Sequence, residues 1–469
     1  MLDVGLTVVK ASLIAEDGSF LAQGRRIWEG HRALAGPGNR GRDPWPAIVA
    51  AVEALWRQDA SLRAGTSVRA VASSVAAQTG IGLDRTGSFL ALDAVSAPWR
   101  RLSGGMRNEG GRGNEGGRGK SGRVGGESGT HADLRPATDP GWGPGGMIRW
   151  GYAGVLTLTV WAARRQRPDL LAGLQRVGPL HAYVVLRLSG RYVTDPASGP
   201  EASEWPEPVL RWTGLGKPNL PAIQAGEEPV GRLTEEAARQ LGLDSGVWVV
   251  TGGHDGVCSS FGAGAYHPGD MGVTLSTNFV PRPVAGLRVP GVFGYSIRPG
   301  AWAWVDGLPL CGTQRDQARK ILWPWAKAGE EPWMDGQNGE PDLSDLPDLP
   351  YLAPDRIEQQ TARLERLLAE GIPPENLWLA VQRGLARALK DRIGEGRAMG
   401  LTPSRAVLTG GASRDGLLIR LLERELDLPV RRVHPEAGSL GAAALAAPVA
   451  GWAPSPEDAL SRWRSVSQG

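Results

Sequence analysis

The chain has 469 residues, 41% of them hydrophobic and 22% charged, with a formal net charge of +3. Single cores stop growing at roughly 250–300 residues, so two domains are expected. So small a net charge gives no reason to expect a nucleic acid or an anionic membrane as partner. The two cysteines, Cys258 and Cys311, make neither a disulfide framework nor a zinc site. The sequence shows no basic-then-apolar leader and no run near the ~20 apolar residues of a membrane span, so a cytoplasmic location is expected.

Residues 2–14 (LDVGLTVVKASLI) read as a strand, a tight turn and a second strand; Asp17-Gly18 supplies the turn into a third strand beginning at 19–21. Residues 45–56 (WPAIVAAVEALW) carry apolar side chains at helical spacing, and 68–75 read as a small-residue strand. The order strand, strand, strand, helix, strand opens a ribonuclease-H-like, actin-type domain. Residues 104–129 are of low complexity, with NEGGRG in tandem at 108–113 and 114–119. Such a segment buries too little apolar area to offset its ordering entropy, so a mobile surface insertion is expected rather than an Arg-Gly-Gly nucleic-acid arm. Residues 234–241 form a helix capped by Thr234 with acids in its first turn, and 247–250 (VWVV) a short buried strand, with a domain boundary at 244–246. An acidic, Pro-rich surface loop follows at 330–350, then a helix at 376–393, a strand at 406–409, and helices at 416–426 and 439–447.

Three glycine-containing turns sit at strand ends. In the first, Asp3-Val4-Gly5-Leu6-Thr7 with Lys10 beyond, a carboxylate at a strand start can hold a hydrated Mg²⁺. Gly5 lets backbone N–H groups approach a phosphate, and Thr7 and Lys10 add donors. A plain hairpin has the same pattern. In the second, Thr251-Gly252-Gly253-His254-Asp255-Gly256 follows the VWVV strand, and Asp255 at that tip can take a proton from an attacking hydroxyl or simply cap a helix. His254 reads either as a substrate contact or as a turn residue. Further on, residues 272–278 (GVTLSTN), with Thr277, form a hairpin of small and hydroxylic residues. In the third, Leu408-Thr409-Gly410-Gly411-Ala412-Ser413-Arg414 joins a strand to a helix and leaves a flat surface for an adenine or ribose ring.

Taken together, Asp-x-Gly near residue 3, Gly-Gly-His-Asp mid-chain and Gly-Gly-Ala-Ser near residue 411 resemble the FGGY carbohydrate kinases. The stretches between agree: Ala77-Gln78-Thr79-Gly80 and Leu83-Asp84 with Gly87; Leu188-Ser189-Gly190 and Thr194-Asp195; Gly231-Arg232-Leu233; Pro350-Tyr351-Leu352 with Asp355-Arg356; and Ser439-Leu440-Gly441-Ala442-Ala443-Ala444. The resemblance implies an α/β fold of two ribonuclease-H-like (actin/hexokinase-type) domains with a cleft between them. Residues 1–245 would be mainly sugar-binding and 246–469 mainly ATP-binding. It implies ATP-dependent phosphorylation of a sugar or polyol hydroxyl, with Mg-ATP in the interdomain cleft and Asp255 as general base. Asp3 would help hold Mg²⁺. Gly5, Thr7, Lys10, Thr277, Gly410, Gly411 and Ser413 would line ATP, and Gln78, Arg100, His254 and Asp255 the sugar. The partner is a small molecule, with no nucleic acid and no membrane; a homodimer is left open.

The sequence departs from the family pattern at Leu6 (usually Thr), Ser276 in the phosphate hairpin, Pro354 and Asp355 in the Pro-Tyr-Leu turn, and Arg383 (usually Glu). The family's Trp-x-Asp-x-Arg sugar stretch is best matched by Ser96-Ala97-Pro98-Trp99-Arg100, which keeps Arg100 but has Pro98 for Asp; a shifted register would use Asp93. Pro cannot grip sugar hydroxyls. A catalytically weak or inactive homologue acting as a sugar or nucleotide sensor is therefore the alternative reading, and another actin-fold ATPase a third. Among the eighteen tryptophans, Trp302 and Trp304 at strand spacing read as core packing or as sugar-stacking rings.

Overall fold

The structure is a computed structural model that describes residues 1–5, 7–28, 43–76, 80–91, 151–157, 159–160, 163, 168, 173–200, 204–289, 292–326, 346–352 and 356–466. The Gly-rich insertion, Leu6, Gln78, Asp93, Pro98, Arg100, Pro354, Asp355 and most of the 330–350 loop lie outside the described residues. The chain divides into two compact units: Met1–Ala15, Ser19–Asp255 and Val449–Gly451 make the first; Glu16–Gly18, Gly256–Pro448 and Trp452–Gly469 the second.

The first unit begins with β1 (Leu2–Val4), β2 (Val8–Ile14) and β3 (Phe20–Ile27), antiparallel neighbours. Helix α1 (Trp45–Gln58) starts where Asp43 accepts from the Trp45 amide at 2.9 Å, and its buried Trp45, Ile48, Ala51, Val52 and Leu55 repeat at helical spacing. The expected strand at 68–75 is two short ones, β4 (Ala70–Val71) and β5 (Ser73–Val75), which enter different sheets. A hairpin of β6 (Gly80–Asp84) and β7 (Phe89–Ala91) follows, with β8 (Leu174–Pro179) on its other side. Then come helix α2 (Leu180–Ser189), β9 (Val193–Thr194), β10 (Ala222–Ile223) and β11 (Pro229–Arg232). Helix α3 (Glu235–Leu241) has the Thr234 cap read from the sequence, its hydroxyl accepting from Ala237 N, and stops at Gly242. Strands β12 (Trp248–Val250) and β13 (Gly253–His254) complete the unit. Its main sheet runs β13-β5-β1-β2-β3, with β13, β5 and β1 parallel. Alternation puts Leu2, Val4, Val9 and Ala11 into a core with Ile48, Val52, Leu180 and Val184. Each such side chain removed from water contributes about 1.5–3 kcal/mol.

Helix α4 (Asp255–Ala263) opens at Asp255, in the first unit, and continues into the second. The second unit repeats the topology. Strands β14 (Asp270–Leu275), β15 (Phe279–Ala285) and β17 (Ala301–Trp304) are antiparallel neighbours, with β16 (Gly294–Arg298) on the outer edge. Helices α5 (Cys311–Leu322), α6 (Ile357–Ala369) and α7 (Pro374–Ala398) come next, before β18 (Arg405–Thr409), helix α8 (Gly416–Glu425) and β19 (Val430–Arg432). β14, β18 and β19 are parallel, and the sheet runs β16-β17-β15-β14-β18-β19. The core joins Met271, Val273, Phe279 and Leu408 to Trp378, Leu385 and Leu418. Trp302 and Trp304 are buried beside Val292 and Leu401, as core packing rather than rings open to a sugar. Helices α9 (Ala437–Ala450) and α10 (Pro456–Val466) close the chain. In both units three antiparallel strands are extended by two parallel ones, the ribonuclease-H arrangement the sequence led us to expect.

Candidate active site

In the first unit the face of the sheet opposite the apolar core is polar. Cross-strand pairing sets Gly253 beside Ser74, Ser74 beside Asp3, and Asp3 beside Lys10, so the four share one face. The Ser74 hydroxyl donates to Asp3 Oδ1 at 3.3 Å, and Lys10 Nζ lies 3.7 Å from Asp3 Oδ2. Asp3 and Lys10 are each about a quarter exposed, so water or a ligand reaches both. The turn between β1 and β2 is closed by Gly5 N donating to Val8 O at 3.1 Å, while Thr7 O accepts from Trp28 N at 2.8 Å.

Separated from β1 by β5, β13 ends at His254, and Asp255 follows it. Gly252, just before β13, has φ +71°, and a Cβ there would stand 2.1 Å from the Ser73 carbonyl oxygen. No other residue type fits so close a backbone approach. His254 is buried, its ring 4.8 Å from that of Tyr152, and its Nδ1 lies 3.4 Å from Asp255 Oδ1. The Asp255 side chain keeps 43% of its exposure. It opens α4, where a negative charge meets the positive end of the helix dipole.

In the second unit the remaining candidates gather at the carboxyl ends of two adjacent parallel strands, the usual place for a ligand in an α/β sheet. Ser276, Thr277 and Asn278 form the turn after β14, with Ser276 N donating to Asn278 O at 3.1 Å. Gly410 leaves β18 at φ +94°, packed so closely on Leu275 that a Cβ would lie 2.5 Å from its carbonyl oxygen. The Ser413 hydroxyl donates back to Gly410 O at 2.7 Å, and Thr409 Oγ1 to His434 O at 3.0 Å. Thus Thr277, Gly410, Gly411 and Ser413 flank one edge.

Several participants had no signal in the sequence. Asn278 Oδ1 accepts from Leu310 N at 2.9 Å, and Gly312 N donates to Thr277 O at 3.0 Å, which ties the start of α5 to the hairpin. Leu310, at φ 58°, is the only non-glycine with positive φ among the described residues. Behind the Gly410–Ser413 turn, buried Asp415 caps α8 through Leu417 N and Leu418 N. Its Oδ2 also accepts from Arg315 Nη2 at 2.5 Å and Gln382 Nε2 at 2.6 Å. Burial pushes the Cys311 thiol up to about 12, so it is no nucleophile. Among the described residues no cluster of three or more His, Cys, Asp or Glu is placed to hold a metal ion. A magnesium bound chiefly through phosphates needs only one or two carboxylates.

The model of the FGGY family of carbohydrate kinases, N-terminal domain, matches residues 146–262. The chain is 24% identical over 341 residues to the xylulose kinase of Escherichia coli (strain K12), covering 67% of each chain. It is 27% identical over 331 residues to the erythritol kinase of Brucella abortus, covering 63% of this chain and 62% of that one. The gluconate kinase structure from Lactobacillus acidophilus superposes with a TM-score of 0.71 at 17% identity, over 99% of this chain and 90% of that one.

The chain is similar to the FGGY family of carbohydrate kinases.

Its two units have the two-domain, actin-like fold of those structures. Aligned segments span 56–67% of the lengths of the first curated relatives. Where this carbohydrate kinase homologue departs from the family pattern at Arg383, the guanidinium lies 3.6 Å from Glu425, a carboxylate that Arg387 also approaches at 3.4 Å. Arg383 is therefore engaged between α7 and α8. No helix of the described residues is long and apolar enough to cross a membrane.

Proposed function

We propose that this protein transfers the γ-phosphoryl group of ATP to a hydroxyl of a small sugar or polyol. The observation that carries the reading is Asp255. Its half-exposed carboxylate directly follows β13, held by the Gly252 approach, with β5 between that strand and the Asp3–Lys10 pair. Asp255 accepts the proton of the sugar hydroxyl as that oxygen bonds to the γ-phosphorus. The bond from that phosphorus to the bridging oxygen breaks, and ADP leaves with the electron pair. General-base assistance of this kind is worth about 10²–10⁴-fold.

His254 holds one side of the carboxylate. Gly5, Thr7 and Lys10 line the β- and γ-phosphates. Thr277, Gly410, Gly411 and Ser413 present hydroxyls and backbone N–H groups to the nucleotide. Gln78 and Arg100 are proposed sugar contacts. Asp3, with an oxygen donor beside it in Ser74 and a single charge, suits a hydrated magnesium ion. When bound, that ion would neutralise phosphate charge. On this reading the first unit is mainly sugar-binding and the second mainly nucleotide-binding. Relatives named for a ketose, a polyol and an aldonate support a small polyhydroxylated acceptor without choosing among them.

The test is ADP release from Mg-ATP across pentuloses, hexuloses, polyols and aldonates, with Asp255→Asn alongside. Release stimulated by one acceptor and lost in the variant, with ATP still bound, is the expected result. A folded, ATP-binding protein that no acceptor stimulates would be a binding homologue without turnover.

A further inference from the structure

Beside the Asp255 turn lies a buried polar set that the proposed reaction does not use. His181, on α2, has no exposed surface. Its Nε2 lies 2.8 Å from the Thr251 carbonyl oxygen. A carbonyl only accepts, so Nε2 carries a proton in either charge state of the ring, and the bond persists in both. The opposite nitrogen, Nδ1, is 3.1 Å from the Thr194 hydroxyl and 3.5 Å from Asp195 Oδ1. Asp195 is itself buried and held by two backbone amides, Ala197 N at 3.1 Å and Ser198 N at 3.3 Å. The Thr-Asp stretch, prominent in the sequence but without a role in the chemistry above, thus forms a rigid back wall to one imidazole.

That imidazole aims at the peptide on which the catalytic turn hangs. Thr251 N and its hydroxyl both donate to Glu228 O, at 3.1 and 3.2 Å, and Gly252 N donates to Gly226 O at 2.9 Å. These bonds use up the donors of the segment. Its first carbonyl is answered by His181. Without that donor, a buried acceptor loses its partner four residues before Asp255, and the Thr251–Gly252 peptide is held only through its N–H to Gly226 O.

We propose that His181, backed by Thr194 and Asp195, is a positioning residue that fixes the Thr251 carbonyl and so the direction in which the Gly252–Asp255 segment presents its carboxylate. The proposal rests on the reading of Asp255 as general base. Two arms separate their failures. The first needs no substrate: amide hydrogen exchange across residues 248–258 in wild type, His181→Leu and His181→Gln. The leucine variant is expected to exchange about tenfold faster there or more, with residues 270–448 unchanged, because a local opening has become easier. Glutamine, which can return an N–H donor to Thr251, is expected to restore most of the protection.

The second arm is steady-state kinetics with whichever acceptor stimulates the wild type. His181→Leu is expected to lower kcat by about 10- to 100-fold, with KM for ATP and acceptor little changed, since misplacement of a reacting group costs rate rather than binding. His181→Gln is expected to recover most of that loss. A merely structural histidine would lower the melting temperature while leaving kcat and local exchange at wild-type values below the transition, and that outcome overturns the proposal. So does a glutamine variant as impaired as leucine. If leucine fails to fold, Asp195→Asn keeps the side-chain shape and takes its place; unchanged exchange and kcat in that variant overturn the backing role. A wild type that no acceptor stimulates refutes the kinase reading alone, and the exchange arm still decides whether His181 fixes the turn.

Discussion

Replacing Gly252 by alanine separates two physical costs that the structure places at one residue. The added Cβ would stand 2.1 Å from Ser73 O and 2.7 Å from Ser73 N, where ordinary contact begins at 3.4 Å. Ser73 has little room to retreat, because β5 is paired on one side with β1 and on the other with β13. The backbone conformation adds a second cost, since φ is +71°. Gly87 supplies the control: it has φ +78° with nothing within 4 Å of its Cβ position. Gly87→Ala therefore registers conformation alone, about 1–2 kcal/mol, less about 0.4–1 kcal/mol for the stiffer unfolded chain. Gly252→Ala carries the same net term plus an overpacking cost of about 1–3 kcal/mol, for a total near 1–5 kcal/mol. The assay is urea denaturation followed by far-UV circular dichroism, comparing the midpoint shifts of the two variants at equal slope. Equal shifts would refute the close approach of Gly252 to β5, and with it the claim that the backbone before Asp255 is sterically fixed.

Burial holds the His181 pKa below its ordinary 6.5, against an opposing pull from Asp195. The unfolded chain therefore takes up a proton first as the pH falls. Stability contributed by this group is present above about 6.5 and declines below it, by at most about 1.4 kcal/mol per pH unit. The excess stability of wild type over His181→Gln should accordingly shrink between pH 7 and 5.5 in denaturant titrations; an excess that grows in acid contradicts the assigned direction. In the second unit, Asp415→Ala strands the Arg315 guanidinium and Gln382 amide and uncaps α8, and should cost about 3–5 kcal/mol. Asp415→Asn, which keeps an oxygen for the helix cap, should cost clearly less; equal losses would mean that the cap contributes nothing beyond the ion pair to Arg315.

The parts of this fold written in local pattern were legible. Helical spacing of Trp45, Ile48, Val52 and Leu55, the Thr234 cap and the glycines at 252 and 410 each act within a few residues of themselves, and each lies where the residues suggested. Pairing was not legible. β13 joins β5 across some 180 residues, and residues 70–75 divide between two sheets, because strand partners are chosen by the core rather than by the strand's own sequence. Helix ends moved outward as well: residues 376–393 grew to Pro374–Ala398 once buried contacts supported the extra turns. His181 was silent for a similar reason. A lone histidine in an apolar helix has no pattern, and only the fold brings it to Thr194, Asp195 and Thr251. Arg315 and Gln382 stand on two helices and Asp415 caps a third, and they meet only in space.

The same topology is used twice, yet the two sets of candidates differ in chemistry. In each unit the candidate turns leave the carboxyl ends of parallel strands: Gly5–Thr7 after β1 and Asp255 after β13, Ser276–Asn278 after β14 and Gly410–Ser413 after β18. The hairpin after the first strand recurs in both. What changes is the lining. The first unit carries formal charge there, Asp3 paired with Lys10 and Asp255 beside His254. The second carries hydroxyls and glycine N–H groups, and the carboxylate of Asp415 behind them is buried and engaged. Charges that accept a proton or hold a cation must stay reachable, whereas neutral donors can hold a polyphosphate and a flat base without adding charge of either sign. The division of labour proposed for the two units, base and magnesium ligand in one and nucleotide contacts in the other, follows from that difference in lining rather than from any difference in fold.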